Sequence, residues 1–140
     1  MEREVACVSG QVVFAEGRHA MSSSFVRYWD YELELRRQLS RSGLLTAASG
    51  ALMAFRRTIA PTIPEQFAGD AYVPMMAVAN SQRTVQVADA RVRDGGTGSV
   101  VNERRARERM VARNLSCIRH VNRQHPVSYT HLTLPTILLV

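Results

Sequence analysis

Lysine is absent from this 140-residue chain, and all 18 of its basic residues are arginine. Arginine codons are GC-rich and lysine codons AT-rich, so the bias reads as the mark of a GC-rich gene and is a poor argument for anion binding. Cysteine occurs twice, which excludes a disulfide framework. Aromatic residues are 6% of the chain, and Trp29 and Tyr31 read as packing residues before they read as a platform for stacked bases. No uncharged apolar run reaches about 18 residues, so no membrane-spanning helix is expected. No secretory leader is expected either, because Glu2, Arg3 and Glu4 precede the first apolar run.

What is present suffices for one domain. The apolar set makes up 46% of the residues, and a chain of this length can bury about two thirds of its unfolded surface. Charge is divided unevenly. Residues 1–90 carry nine Arg against nine Asp and Glu, whereas residues 91–123 carry nine Arg against Asp94, Glu103 and Glu108. The net charge of +6 therefore resides in that second segment.

Val5 to Phe14 is apolar and β-branched and reads as a buried strand with a bend at Gly10. Ser22 to Ser24 opens a helix whose apolar and aromatic residues run from Phe25 to Leu39 and which Ser42-Gly43 ends. Leu44 to Phe55 is small and apolar; its periodicity leaves strand and helix both open, and alternation with its neighbours favours a strand. Pro61 and Pro64 make a loop, Phe67 to Ala79 reads as a helix, and Thr84 to Val92 alternates as a strand. Residues 94–98 read as a flexible loop, and Asn102 is expected to cap a helix from Glu103 to about Ile118. The alternation of strands and helices argues α/β.

Several side chains could carry chemistry. Asp70 follows Gly69 at the start of an apolar helix, where a carboxylate can serve as a general base or cap the helix. Ala106, Met110, Val111, Leu115, Cys117 and Ile118 mark an apolar face on the last helix, with Arg105, Arg109 and Arg113 as a basic stripe beside it. Arg107 falls inside the apolar arc, where it either meets an anion or extends its stem to solvent. Asp94 suits a turn as well as a site. The Gly95-Gly96-Thr97-Gly98 run lacks a phosphate-loop pattern. His19, His120 and His125 have no metal-ligand spacing with Cys7 or Cys117, which read as core thiols.

Taken in order, these pieces resemble the acceptor-side half of a family 2 glycosyltransferase. Tyr28 to Arg37, YWDYELELRR, is similar to its aromatic-Glu-Leu-Arg helix. Ser49-Gly50-Ala51 with Ala54-Phe55-Arg56-Arg57 resembles its acceptor strand and Arg-Arg exit. Gly69 to Pro74 resembles its acidic motif with a trailing Leu-Pro, and Val85 to Asp94 its next strand. Glu103 to Arg113 resembles its basic helix. The likeness runs over nearly all of residues 4–118. It implies part of a GT-A domain, a mixed sheet with flanking helices whose nucleotide-binding half is missing. It implies inverting transfer from a nucleotide-sugar donor to a polysaccharide or lipid acceptor, with Mg²⁺ or Mn²⁺ in the full-length parent. Asp70 would be the base, Arg105, Arg107 and Arg109 would face the donor diphosphate, Ser49, Gly50 and Ala51 would meet the acceptor, and Asp94 would close the next motif. Gly69 stands where the family often has an acidic residue, and no Asp-x-Asp metal motif occurs in the chain. The fragment is accordingly expected to transfer no sugar alone. The parent would be cytoplasmic or on the cytoplasmic face of the inner membrane, with membrane association through segments outside this chain and no nucleic acid as partner. The rival reading is a basic module binding nucleic acid or a membrane surface through the Arg104–Arg123 helix.

The tail differs from everything before it. Val127 to Thr136, VSYTHLTLPT, resembles a translation of the mosaic-end adaptor of transposase-based sequencing libraries, codon by codon (GTC TCT TAT ACA CAT CTG ACG CTG CCG ACG). Residues 127–140 are therefore expected to be non-native, and the domain to be residues 1–126.

Overall fold

The structure is a computed structural model that describes residues 4–14, 23–94 and 100–125. Its elements in chain order are β1 (Val5–Phe14), α1 (Ser23–Arg41), β2 (Met53–Phe55), α2 (Gly69–Ala79), β3 (Arg83–Asp94) and α3 (Val100–Gln124). Of the loop expected at 94–98, Asp94 is instead the last residue of β3, and residues 95–98, like the tail from 126, lie outside the described residues.

The strands form one mixed sheet in the order β2-β1-β3, so the chain is α/β, as its alternation implied. β1 is central, pairing antiparallel with β2 (Val8 opposite Ala54) and parallel with β3 (Val8 opposite Val85). The bend expected at Gly10 is a register change. Between Ser9 and Gln11 the central strand spends Gly10 alone, while β3 spends Val87 to Ala90. A Cβ at Gly10 would lie 2.7 Å from the Ala90 carbonyl oxygen and would also overlap the Leu52 side chain. That close approach is why glycine stands there.

α1 ends as its sequence suggests. Gly43 takes φ of 70°, Leu44 N–H donates to Leu39 O at 2.8 Å, and Gly43 N–H donates to Ser40 O at 3.2 Å. This is the left-handed glycine stop that satisfies the last carbonyls. Ser40 is buried, and its Oγ accepts the Gln86 N–H at 2.9 Å, fastening α1 to β3. Tyr31, read as a packing residue, is 59% exposed instead.

Two further expectations are corrected. The stretch Leu44 to Phe55 is strand only at Met53–Phe55; residues 44–49 are buried or half-buried chain without regular structure. The last helix begins at Val100, so Asn102 lies inside it and does not cap it, and it continues to Gln124. Its buried residues are Asn114, Cys117, Ile118 and Val121, which share one face at helical spacing. Met110, placed on that apolar face, is 50% exposed.

The main core joins three elements and the irregular stretch: Cys7 of β1, Ala48, the α2 residues Ala71, Val73 and Met75, and Cys117, Ile118 and Val121 of α3. Phe67 stacks on Tyr72 with ring centroids 5.6 Å apart, and His120 lies 4.8 Å from Phe67, so α3 closes over α2 and the loop before it. No helix among the described residues is long and apolar enough to cross a membrane.

Both cysteines are free and fully buried. Burial pushes the Cys7 thiol up to about 11; burial, with the charge of Asp70 adding, pushes Cys117 up to about 12. An unfolded thiol titrates near about 8.5, so the unfolded chain releases these protons first. The stabilising contribution is complete below about pH 8.5 and is lost as pH rises through the folded values. The urea midpoint is therefore expected to fall steadily from about pH 8.5 to about pH 11. Cys7→Ala with Cys117→Ala should flatten that slope, and an unchanged slope in the double variant would refute the assignment.

Candidate functional site

Asp70 lies in the first turn of α2, one residue after Gly69. It does not cap the helix: the N-cap position is Ala68, in extended conformation, and no side chain caps there. The Asp70 carboxylate makes no hydrogen bond or ion pair with a described residue, and the residue is half-buried. A carboxylate at a helix start is favoured by the helix dipole, so this one remains available without a partner of its own.

What stands against it is Gly50. A Cβ built on Gly50 would be 3.0 Å from Asp70 Oδ2 and 3.5 Å from Cγ. The φ of Gly50 lies outside the left-handed range, so space for the carboxylate, and not backbone freedom, accounts for the glycine. Residues Gly50, Ala51 and Leu52 are exposed, and the carboxylate therefore borders solvent on the side where this turn lacks a side chain.

Hydrogen bonds to β1 and α2 hold the turn. Ser9, 1% exposed in the middle of β1, accepts the Ser49 N–H on its Oγ at 2.8 Å and donates to the Gly10 carbonyl at 3.2 Å. Leu52 O accepts the Gly10 N–H at 2.9 Å, and Asp70 O accepts the Ala48 N–H at 2.8 Å. The last bond has a cause in the sequence. Pro74 lies inside α2, four residues after Asp70. Proline has no N–H to donate to the carbonyl four residues back, and its ring crowds that carbonyl. The Asp70 carbonyl is thus left over by its own helix and taken by Ala48.

The structure brings Asp70 together with Ser49, Gly50 and Ala51, residues that the sequence separates by a proline-containing loop. It does not bring Arg105 or Arg109 to them. Cys117 is the α3 residue that feels the Asp70 charge, and Arg109 and Arg105 lie about 12 and about 18 Å further along the helix axis at its usual rise. Both are exposed and make no ion pair with a described residue. Arg113, next in that stripe, donates to Glu65 O at 2.8 Å and ties α3 to the loop before α2. Arg107 belongs to α3 and Asp94 is the last residue of β3, paired with Phe14; their side chains lie outside the described residues. Sequence reasoning missed Ser9 and Pro74. The proline was legible through its offset of four from Asp70, whereas nothing in a strand marks which serine will meet a loop amide.

Among the described residues, no group of three or more His, Cys, Asp or Glu is placed to hold a metal ion. No family model, curated protein or solved structure matches the chain.

Two substitutions probe this geometry. Gly50→Ala is expected to displace the carboxylate, moving the Asp70 side-chain carboxyl resonance while changing stability by less than about 1 kcal/mol, because the turn is exposed. An unmoved resonance would mean that the turn and not the carboxylate gives way. Pro74→Ala returns a helical donor to the Asp70 carbonyl, so hydrogen exchange at the Ala48 amide should speed up about fivefold, one typical hydrogen bond. Unchanged exchange would show that the carbonyl serves both donors.

Proposed function

We propose that this chain is the acceptor-side part of an inverting glycosyltransferase of family 2, with Asp70 as the base for the acceptor hydroxyl. The observation that supports this reading most is the unpaired, half-buried carboxylate set against an exposed glycine turn. A sugar hydroxyl becomes a competent nucleophile only as its proton leaves, and a carboxylate within hydrogen-bond reach of it can take that proton in the transition state. Asp70 is free of any cap or ion pair that would compete for this role. The Ser49–Ala51 turn presents backbone and no bulky side chain, so an acceptor can approach the carboxylate closely there. The mixed α/β sheet is compatible with the fold that the resemblance implies.

In this reading the nucleotide-sugar donor and the catalytic cation belong to the missing half. The chain has no Asp-x-Asp, and among the described residues no group of three or more His, Cys, Asp or Glu is placed to hold a metal ion. The chemistry this reading assigns to the chain is acceptor activation at Asp70. The glycan or lipid nature of the acceptor, polysaccharide synthesis and a place at the cytoplasmic membrane face are carried by the resemblance.

The test begins with the source DNA upstream of Met1 and continues with the chain expressed in that extended frame. Nucleotide-sugar turnover should appear in the extended chain, and Asp70→Asn should lower kcat by about 10² to 10⁴-fold with little change in KM for the donor. Full turnover in the Asn variant, or an extended frame with no acidic metal-binding pair, would sink the proposal.

A further inference from the structure

α1 and α3 treat their arginines in opposite ways. In α1, Arg36 pairs with Glu32 at 2.8 Å and Arg37 with Glu34 at 3.5 Å, both across one helical turn. In α3, the exposed residues Arg105, Arg109, Arg113, Arg119 and Arg123 form no ion pair with a described residue, and Arg113 donates to a backbone carbonyl. At about 100° per residue these five fall within about 120° of arc, opposite the face that buries Asn114, Cys117, Ile118 and Val121. Between them on the same arc lie Ala112 and Ser116, both exposed, and His120. No acidic residue with a described side chain falls inside the arc; Glu108 stands at its margin.

A solvated helix face ordinarily mixes the two signs, because like charges one turn apart destabilise the helix. Here Arg105, Arg109 and Arg113, and again Arg119 and Arg123, repeat at that spacing. The arrangement is costly for the free chain and favourable only against an anion that spans the whole row. From Arg105 to Arg123 the row extends about 27 Å along the axis. Arg113 is held against the domain by Glu65 O, and the other four lie along one side of a straight helix, so a flat surface meets Arg105, Arg109, Arg119 and Arg123 together. A duplex would not, since a helix laid in a groove about 12 Å wide meets phosphates mainly where it crosses the two strands.

We propose that the outer face of α3 is a docking surface for an anionic lipid bilayer, bound through phospholipid phosphates without insertion. The inference is independent of the transferase reading, because it uses neither Asp70 nor the Gly50 turn. The geometry commits the face to surface contact: the exposed Ala112 and Ser116 lie between the arginines, so the guanidinium groups of Arg105, Arg109, Arg119 and Arg123 can reach the plane, while the buried side of the helix, with Arg113 and His120, remains packed on the domain. Binding of this kind is salt-sensitive, because exposed charges are screened beyond a Debye length.

Sedimentation of the full chain with vesicles tests the proposal. The chain should pellet with mixed phosphatidylglycerol–phosphatidylcholine vesicles at low salt, stay in solution with pure phosphatidylcholine, and be released at roughly 0.5 M salt. Arg105→Gln, Arg109→Gln and Arg123→Gln together remove three arginines that pair with no described residue, so folding should survive; a melting curve checks this. That variant should lose about a hundredfold in vesicle affinity, at about fivefold for each arginine. Arg37→Gln, Arg41→Gln and Arg57→Gln remove the same charge elsewhere and should lose only a fewfold. Equal losses in the two variants, absence of pelleting, or displacement from vesicles by random duplex DNA at equal phosphate concentration would overturn the proposal, the last in favour of nucleic acid.

Discussion

The carbonyl of Asp70, released by Pro74 and accepted at Ala48, is the bond on which the arrangement of this domain turns. Buried chain outside helices and strands must still find partners for its amides, and residues 44–49 are such a chain. Leu45, Thr46 and Ala48 are buried there without a sheet neighbour. Their neighbourhood is satisfied by single bonds from separate elements: Ser9 from β1 to Ser49, Asp70 from α2 to Ala48, and Leu52 back to Gly10. These few bonds hold the turn at Gly50 against the start of α2. The proximity of Gly50 to the Asp70 carboxylate is thus a consequence of backbone bookkeeping, and the side-chain geometry follows from it.

The Asp70 carboxylate and the excess positive charge of α3 occupy different parts of this domain. The acid at Asp70 lies at the junction of the turn and α2, next to the buried Cys117 of α3. The excess positive charge lies on the outer side of α3, beyond the residues that bury it on α2 and on the loop held by Arg113. A single helix therefore contributes a core face to the acidic site and an opposite, cationic face to solvent. No described ion pair links the Asp70 carboxylate to the arginines of that outer face.

Local rules made much of this legible. β1, α1 with its glycine stop, α2 with Asp70 in its first turn, and β3 follow from β-branched runs, helical spacing and turn residues. The meeting of Gly50 with the Asp70 carboxylate came from the fold, and the crowding that a Cβ would meet there accounts for the glycine. Leu44 to Phe55 was not legible as it stands, because small apolar residues suit a strand, a helix or a buried irregular chain equally, and only their neighbours choose. Met110 has the spacing of a core residue, yet it is half exposed because the part of the domain that covers Asn114 and Cys117 does not extend to it.

By itself, the sequence determined the α/β class, the location of the positive charge, and the carboxylate at a helix start, since each depends on residues near one another in the chain. Tertiary structure alone decided that Ser9 would hold the turn, that Arg105 and Arg109 would stand away from Asp70, and that Arg105, Arg109, Arg119 and Arg123 would form no ion pair with a described residue. Those outcomes depend on which elements meet across the fold, and residue spacing within one element carries no information about the element packed against it.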